Sequence, residues 1–458
     1  MRHFDLVIIG TGSGNTIPNA RFSGWDIAIV EHGKFGGTCL NVGCIPTKMF
    51  VHTADVAETP AKSSRLGVDE QLLGVRWPDI RDRVFGRIDP IAAGGRDYRE
   101  NHPDNAKVTI YDQVAKFVGH KQLDTGTGET ITADRFVIAA GGRPMIPDIP
   151  GLAETGFHTS DTVMRLEKLP KRLAILGGGF IAAEFAHVFS SFGVRVTLIN
   201  RSGRLLRGHD SDICSRFTEL ATKRWDVRLD TTVARAERQN GAVRLHLDDG
   251  DVVEADELLV ATGRTPNSDR LAVEATGVEV DENGKVVVDA YQRTSVDGIY
   301  ALGDISSPYE LKHVANHEAR VVRHNLLDPD HPLEVNHRFV PHAVFTEPQI
   351  ATVGLTEEQA REQGVRYVTA HEDYSSIAYG WAMEDTTGFA KILADPDTGL
   401  LLGAHIIGPQ ASTLIQPLVQ AMSFGQHART VATDQYWIHP ALPELIENAL
   451  LKLPLTAG

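Results

Sequence analysis

The chain opens with Phe4-Asp-Leu-Val-Ile-Ile-Gly10-Thr-Gly12-Ser13-Gly14-Asn15, a largely apolar run that ends in a glycine-rich turn. Such a run suits a parallel strand covered on both faces. Gly10 permits a tight turn and Gly12 lets backbone approach a pyrophosphate, which the N-terminus of a following helix stabilises through its free N–H groups. A second strand, Asp26 to Val30, ends in Glu31, 21 positions after Gly10, where a carboxylate accepts hydrogen bonds from an adenosine ribose. The pattern predicts a βαβ unit. It has one departure: Asn15 stands where a third glycine usually allows close helix-to-strand packing, and the adjacent Gly14 relaxes the turn.

The same arrangement recurs downstream. Leu173-Ala-Ile-Leu176 leads into Gly177-x-Gly179-x-x-Ala182, a helical run from Phe180 to Phe192, and a strand from Arg195 to Ile199. This strand ends at Asn200 rather than at an acid, and Arg201, Arg204 and Arg207 follow. A guanidinium fork there can bind the 2′-phosphate that distinguishes NADPH from NADH; the plainer reading is a solvated basic turn. Phe136 to Pro144 is echoed by Leu258 to Pro266, each closing its unit with a strand and a glycine turn. Two nucleotide-binding units therefore share the chain. After a polar break at Asp328 to Pro332, the final segment alternates strand-like runs (Val365 to Thr369, Phe389 to Leu393, Leu401 to Ile407) with helical ones (Thr413 to Phe424, Pro443 to Leu453), without a third glycine fingerprint.

The 458 residues are about three times a typical domain, and 42% hydrophobic with 23% charged residues suits a folded α/β protein. A net charge of -15 argues against nucleic acid or a membrane surface as partner. No run approaches the length needed to span a bilayer, and the first strand begins too early to leave room for a signal peptide. Three cysteines cannot form a disulfide framework, so a cytoplasmic, reducing location is expected, with any disulfide there for use.

Two of those cysteines lie in Gly36-Gly-Thr-Cys39-Leu-Asn-Val-Gly-Cys44-Ile-Pro-Thr-Lys48, just after the first fingerprint. On an ideal helix, positions five apart have α-carbons about 8.6 Å apart, beyond the usual disulfide range of about 4.4–6.8 Å. A bond needs a distorted turn, with which Gly43 and Pro46 are compatible. Lys48 falls on the same face as Cys44, where its charge could hold a thiolate. Two inert buried thiols are the bland alternative; a metal pair is disfavoured because no second Cys/His pair at zinc spacing follows. Cys214, in a helical run, reads as a packed thiol.

With the cysteine motif, both nucleotide loops and Thr294 to Asp304, the chain resembles the pyridine nucleotide-disulfide oxidoreductases over essentially its whole length. The resemblance implies two Rossmann-like dinucleotide-binding domains, glutathione reductase-like, plus a C-terminal α+β dimerisation domain. The expected boundaries are 1–150 and 271–335 for the two parts of an FAD-binding unit, 151–270 for NADPH and 336–458 for the interface. It implies a redox-active Cys39–Cys44 disulfide, with Cys44 facing the flavin and Cys39 attacking substrate. It implies, too, that Lys48 pairs with Glu184 beside the flavin. Cofactor contacts are implied at Gly10, Gly12, Ser13, Gly14, Glu31, Gly37, Thr38, Ala140, Gly141, Gly303 and Asp304, and further at Gly177, Gly179, Ile181, Arg201, Arg207 and Gly263. His439-Pro-Ala-Leu-Pro-Glu444 matches the family's acid–base motif, which is supplied across a homodimer. Several stretches, among them Gly10 to Asn15, Val84 to Ile91, Lys312 to Arg320, Ala378 to Asp385 and Gln435 to Pro440, are most similar to the mycothione reductase branch, whose substrate is the disulfide mycothione. Glutathione reductase, mercuric reductase and dihydrolipoamide dehydrogenase are the enzymatic alternatives, and a flavin-binding redox sensor is the non-enzymatic one.

Overall fold

The computed structural model describes residues 1–456; Ala457 and Gly458, the end of the expected interface unit, lie outside the described residues. Strands β1 (Arg2–Ile9), β2 (Ile27–Val30), β3 (Val108–Tyr111), β4 (Lys116–Gly119), β5 (Gln122–Asp124) and β6 (Thr130–Ile138) form one sheet in the order β3-β2-β1-β6-β5-β4. Its β3-β2-β1-β6 portion is parallel. Val7 and Ile9 pack with Phe136 and Ile299 on one face, and Leu6 and Ile8 with Ile17, Phe22 and Val322 on the other. Both faces are covered, which is why the run contains no alternation. Burying these four side chains contributes about 6–12 kcal/mol at most.

The helix expected between β1 and β2 is absent. Single 3-10 turns, Gly14–Thr16 and Ala20–Phe22, stand in its place. Pro18 removes a backbone donor that a continuing helix would use. The carbonyls that a helix would satisfy are bound instead by a side chain. Helices α1 (Gly37–Asn41), α2 (Cys44–Ser63) and α3 (Trp77–Asn101) follow β2, and Arg99, near the end of α3, is only 6% exposed. Its Nη2 donates to the Asn15 carbonyl (2.6 Å) and the Pro18 carbonyl (3.1 Å), and its Nε to Asn15 Oδ1 (2.9 Å). Asn15 is thus an anchor for Arg99. The close packing expected of a third glycine occurs at Gly14, where a β-carbon would lie 2.9 Å from that of Ala139.

The second unit comprises β7 (Gly142–Pro144), β8 (Arg172–Leu176), α4 (Phe180–Ser191), β9 (Arg195–Ile199), α5 (Ser211–Arg224), β10 (Asp226–Arg228), β11 (Val233–Gln239), β12 (Ala242–Leu247), β13 (Val252–Ala255), β14 (Glu257–Val260) and β15 (Arg264–Pro266). A parallel sheet runs β10-β9-β8-β14, and β11 to β13 form a separate antiparallel sheet. The two echoed segments pair with each other: β7 lies antiparallel to β15. After the single turn α6 (Ser268–Leu271), β16 (Ile299–Ala301) returns to the first sheet beside β6, followed by α7 (Lys312–Leu327).

The C-terminal unit is an antiparallel sheet of β17 (His342–Val344), β18 (Ile350–Gly354), β19 (Val368–Asp373), β20 (Phe389–Ala394) and β21 (Leu401–Ile407), packed against short helices. Its third strand begins at 368 rather than 365. The helix expected at Thr413 to Phe424 is two, Ala411–Leu414 and Gln416–Ser423, with Pro417 in the first turn of the second. The fold is therefore α/β, with two Rossmann-like units and an α+β C-terminal domain. Among the described residues no helix is long and apolar enough to cross a membrane.

Arg99→Met is expected to lower unfolding stability by about 3 kcal/mol, because it leaves buried carbonyls unpaired. Urea unfolding checks this; a loss below about 0.5 kcal/mol, ordinary for a surface change, would contradict it.

Candidate active site

Parallel strands bring their C-terminal ends to one edge of a sheet, where ligands of this architecture bind. In the first sheet that edge collects Gly10, Gly12, Ser13 and Gly14 after β1, Glu31 after β2, Ala140 and Gly141 after β6, and Gly303 and Asp304 after β16. The Ala140–Gly141 turn is held by Asn267, whose amide donates to the Ala140 carbonyl (2.8 Å) and whose N–H donates to that of Gly141 (3.0 Å). Glu31 accepts from the N–H (2.9 Å) and hydroxyl (2.7 Å) of Thr11 and from the N–H of Gly33 (2.8 Å). A carboxylate has about four acceptor positions, so one remains for a ribose hydroxyl. Burial pushes the Asp304 carboxyl up, against the pull of Arg264, whose Nε lies 4.0 Å away. Glu318, fully buried on α7, fixes this loop by accepting from Gly303 N–H (2.7 Å) while its other oxygen meets His337 (2.9 Å).

The four N–H groups from Gly12 to Asn15 find no protein acceptor among the described residues. Consecutive free N–H groups form an anion-binding concavity, so the loop fits a dinucleotide's diphosphate although no helix follows it.

Gly37 and Thr38 lie in α1, which packs directly on this loop: a β-carbon on Gly37 would lie 2.7 Å from the Gly12 α-carbon. Cys39 is also in α1. The helix then breaks at Val42 and Gly43, both non-helical, and α2 begins at Cys44. That break is the distortion the five-residue spacing requires. Both cysteines carry free thiols, and each acts on the ionisation of the other. The neighbouring Cys44 side chain, with burial second, raises Cys39; the neighbouring Cys39 side chain, with help from the Lys48 charge, lowers Cys44. Cys44 is thus the more acidic thiol of the two.

Lys48 Nζ donates to both oxygens of Glu184 (2.7 and 2.6 Å) and lies 4.6 Å from the centre of the Phe345 ring. Glu184 is 3% exposed on α4 and also accepts from Phe345 N–H (3.0 Å), so it is no surface acid. His439 and Glu444 are together, Nδ1 to Oε1 at 2.6 Å, and that bond holds the Glu444 carboxyl below its ordinary range. Within one chain this pair makes no hydrogen bond to the cysteine segment. His439 is 70% exposed and its neighbours Tyr436 and Ile438 are 103% and 75% exposed, an apolar strip beside an open imidazole.

At the second sheet's edge, Gly177 and Gly179 follow β8, with Ile181 in the first turn of α4, and Gly263 follows β14. Asn200 is buried and its amide donates to the carbonyls of Ser202 (2.8 Å) and Arg204 (3.0 Å), which curls the loop after β9. Arg201, Arg204 and Arg207 are exposed on it, and none has a carboxylate partner among the described residues. Cys214 is fully buried and its thiol donates to the Leu206 carbonyl (3.0 Å).

Residues 4–319 match the family described as pyridine nucleotide-disulphide oxidoreductase, and residues 340–450 match its dimerisation domain. The chain belongs to this family. It is 55% identical to the mycothione reductase of Mycobacterium tuberculosis over 464 residues, covering 99% of this chain and 100% of that one. To the glutathione reductase of Burkholderia cepacia it is 33% identical, covering 96% and 97%. The HOCl-induced flavoprotein disulfide reductase RclA from Escherichia coli aligns in structure at TM-score 0.86 and 28% identity, covering 98% and 99%. The chain is accordingly a disulfide reductase of the oxidoreductase class, and FAD and NAD(P)H are the cofactors of its family.

Sequence reading passed over Arg99, Glu318, His337 and Lys312. Only the first left a signal, the asparagine in place of the third glycine. Lys48→Met should move the first ionisation of the reduced cysteine pair upward by roughly one unit, read from the pH dependence of alkylation. An unshifted profile would show that the ammonium does not act on Cys44.

Proposed function

We propose that the protein reduces mycothione to two molecules of mycothiol at the expense of NADPH, through a reversible Cys39–Cys44 disulfide in the cytosol. The observation that carries the chemistry is the juxtaposition of two neighbouring free thiols, on α1 and at the start of α2, with the dinucleotide loop, through the contact of Gly37 on Gly12. The choice of disulfide rests on full-length identity of 55% to a mycothione reductase against 33% to a glutathione reductase. The choice of NADPH rests on Arg201, Arg204 and Arg207 and on the absence of an acid at Asn200.

Residues 1–150 and 271–335 would hold FAD, 151–270 NADPH, and 336–458 the subunit interface. FAD, when bound, accepts hydride from the nicotinamide and passes an electron pair to sulfur. The protein's own residues do the rest. Cys39, once deprotonated, attacks one sulfur of the substrate; a mixed disulfide forms and the first thiolate leaves. The Cys44 thiolate then attacks the Cys39 sulfur, releases the second thiolate and restores the disulfide. Because Cys39 is the harder thiol to ionise and no imidazole of its own chain reaches it, the base is His439 of the partner subunit, which then protonates the leaving thiolate. Glu444 fixes the ring's tautomer and supports its charged form. The bare apolar strip at Tyr436 and Ile438 suits burial against a second copy.

Three measurements test this. Parallel NADPH-oxidation assays with mycothione, glutathione disulfide and lipoamide should favour mycothione; preference for glutathione disulfide overturns the substrate, and turnover with none favours a flavin-binding sensor. Arg201→Ala with Arg207→Ala should raise KM for NADPH at least about tenfold, the scale of a lost charge-assisted contact, while KM for NADH barely moves. Mixing inactive Cys39→Ser and His439→Ala homodimers under subunit exchange should restore activity through hybrid sites; no recovery despite verified exchange would refute a shared active site.

A further inference from the structure

An ordinary dinucleotide loop meets its diphosphate with the positive end of a helix dipole, equivalent to roughly half a unit charge. Here that helix is two isolated turns, so the loop offers free N–H groups without the dipole behind them. A compensating charge stands on another element. Lys312 is the first residue of α7, half-buried, and its Nζ donates to Ser13 Oγ (2.9 Å). Ser13 in turn donates to Asn316 Oδ1 (3.0 Å), one turn along α7. The loop and α7 are thus fastened at the residue whose N–H is in the middle of the free set.

Lys312 is placed at an electrostatic disadvantage. A cation in the first turn of a 16-residue helix opposes the dipole of that helix, and among the described residues no carboxylate comes within ion-pair distance of it. Lys48, the other lysine near the cysteines, is already neutralised by Glu184. A half-buried, unpaired ammonium beside four unpaired N–H groups is balanced when an anion occupies the loop.

We propose that Lys312 is a cation ligand of the FAD diphosphate, replacing the charge of the missing helix. This rests on the reading that the loop holds FAD. Its charge also favours the ionisation of Cys39.

The test is FAD release from the purified holoenzyme, followed as the rise in flavin fluorescence on dilution, at low and high ionic strength. Lys312→Met should release FAD about 10- to 100-fold faster than the parent, the scale of a charge-assisted hydrogen bond, with a weaker response to salt. Lys312→Arg should restore most of the retention. Release from Lys312→Met at the parent rate overturns the proposal. Equal loss in Lys312→Met and Lys312→Arg, with lowered thermal stability in both, also overturns it, because the role is then one of packing. If the parent itself retains no FAD, it is the underlying reading that fails.

Discussion

The backbone of Gly37 lies so close to Gly12 that no side chain fits between them, and the placement of the two cysteines follows from that contact. It fixes α1, and with it Cys39, against the nucleotide loop. The break at Val42 and Gly43 then sets Cys44 at the start of α2, and α2 is locked in turn by its apolar face. Phe50 stacks on Trp77 with ring centroids 5.2 Å apart, and Trp77 packs on Phe189 of α4. The two sulfurs therefore sit on a rigid scaffold of backbone contact and aromatic core, as a site needing sub-ångström positioning requires.

Charge is distributed over this scaffold with a division of labour. Lys48 and the Cys39 thiol stabilise negative charge on Cys44, while Glu184 keeps Lys48 in place from the nucleotide-binding side. Cys39 is left as the more reluctant acid of the two. The His439–Glu444 pair is assembled and solvent-facing.

Much of this was legible in the sequence because it depends on local chemistry. The apolar strands, the glycine turns, the cysteine spacing and the arginines after Asn200 each announce a backbone geometry or a charge within a short window. What was not legible depends on distant partners. Asn15 marks a departure at the third glycine, but nothing local reveals that Arg99, 84 positions away from it, takes over the carbonyl hydrogen bonds of the missing helix. Glu318 and His337 bracing the Gly303 turn, and Lys312 reaching Ser13, are likewise products of α7 folding back onto the first sheet. In the C-terminal unit the short strands β17 and β18 escaped notice because three to five residues carry too little periodicity.

The central claim is that Cys39 and Cys44 store an electron pair beside the nucleotide site. Anaerobic titration of the holoenzyme with NADPH tests it most directly. The parent protein should take up about twice as many reducing equivalents per flavin as the Cys39→Ser variant, since a disulfide is a two-electron couple. Equal uptake by the two proteins would contradict the account.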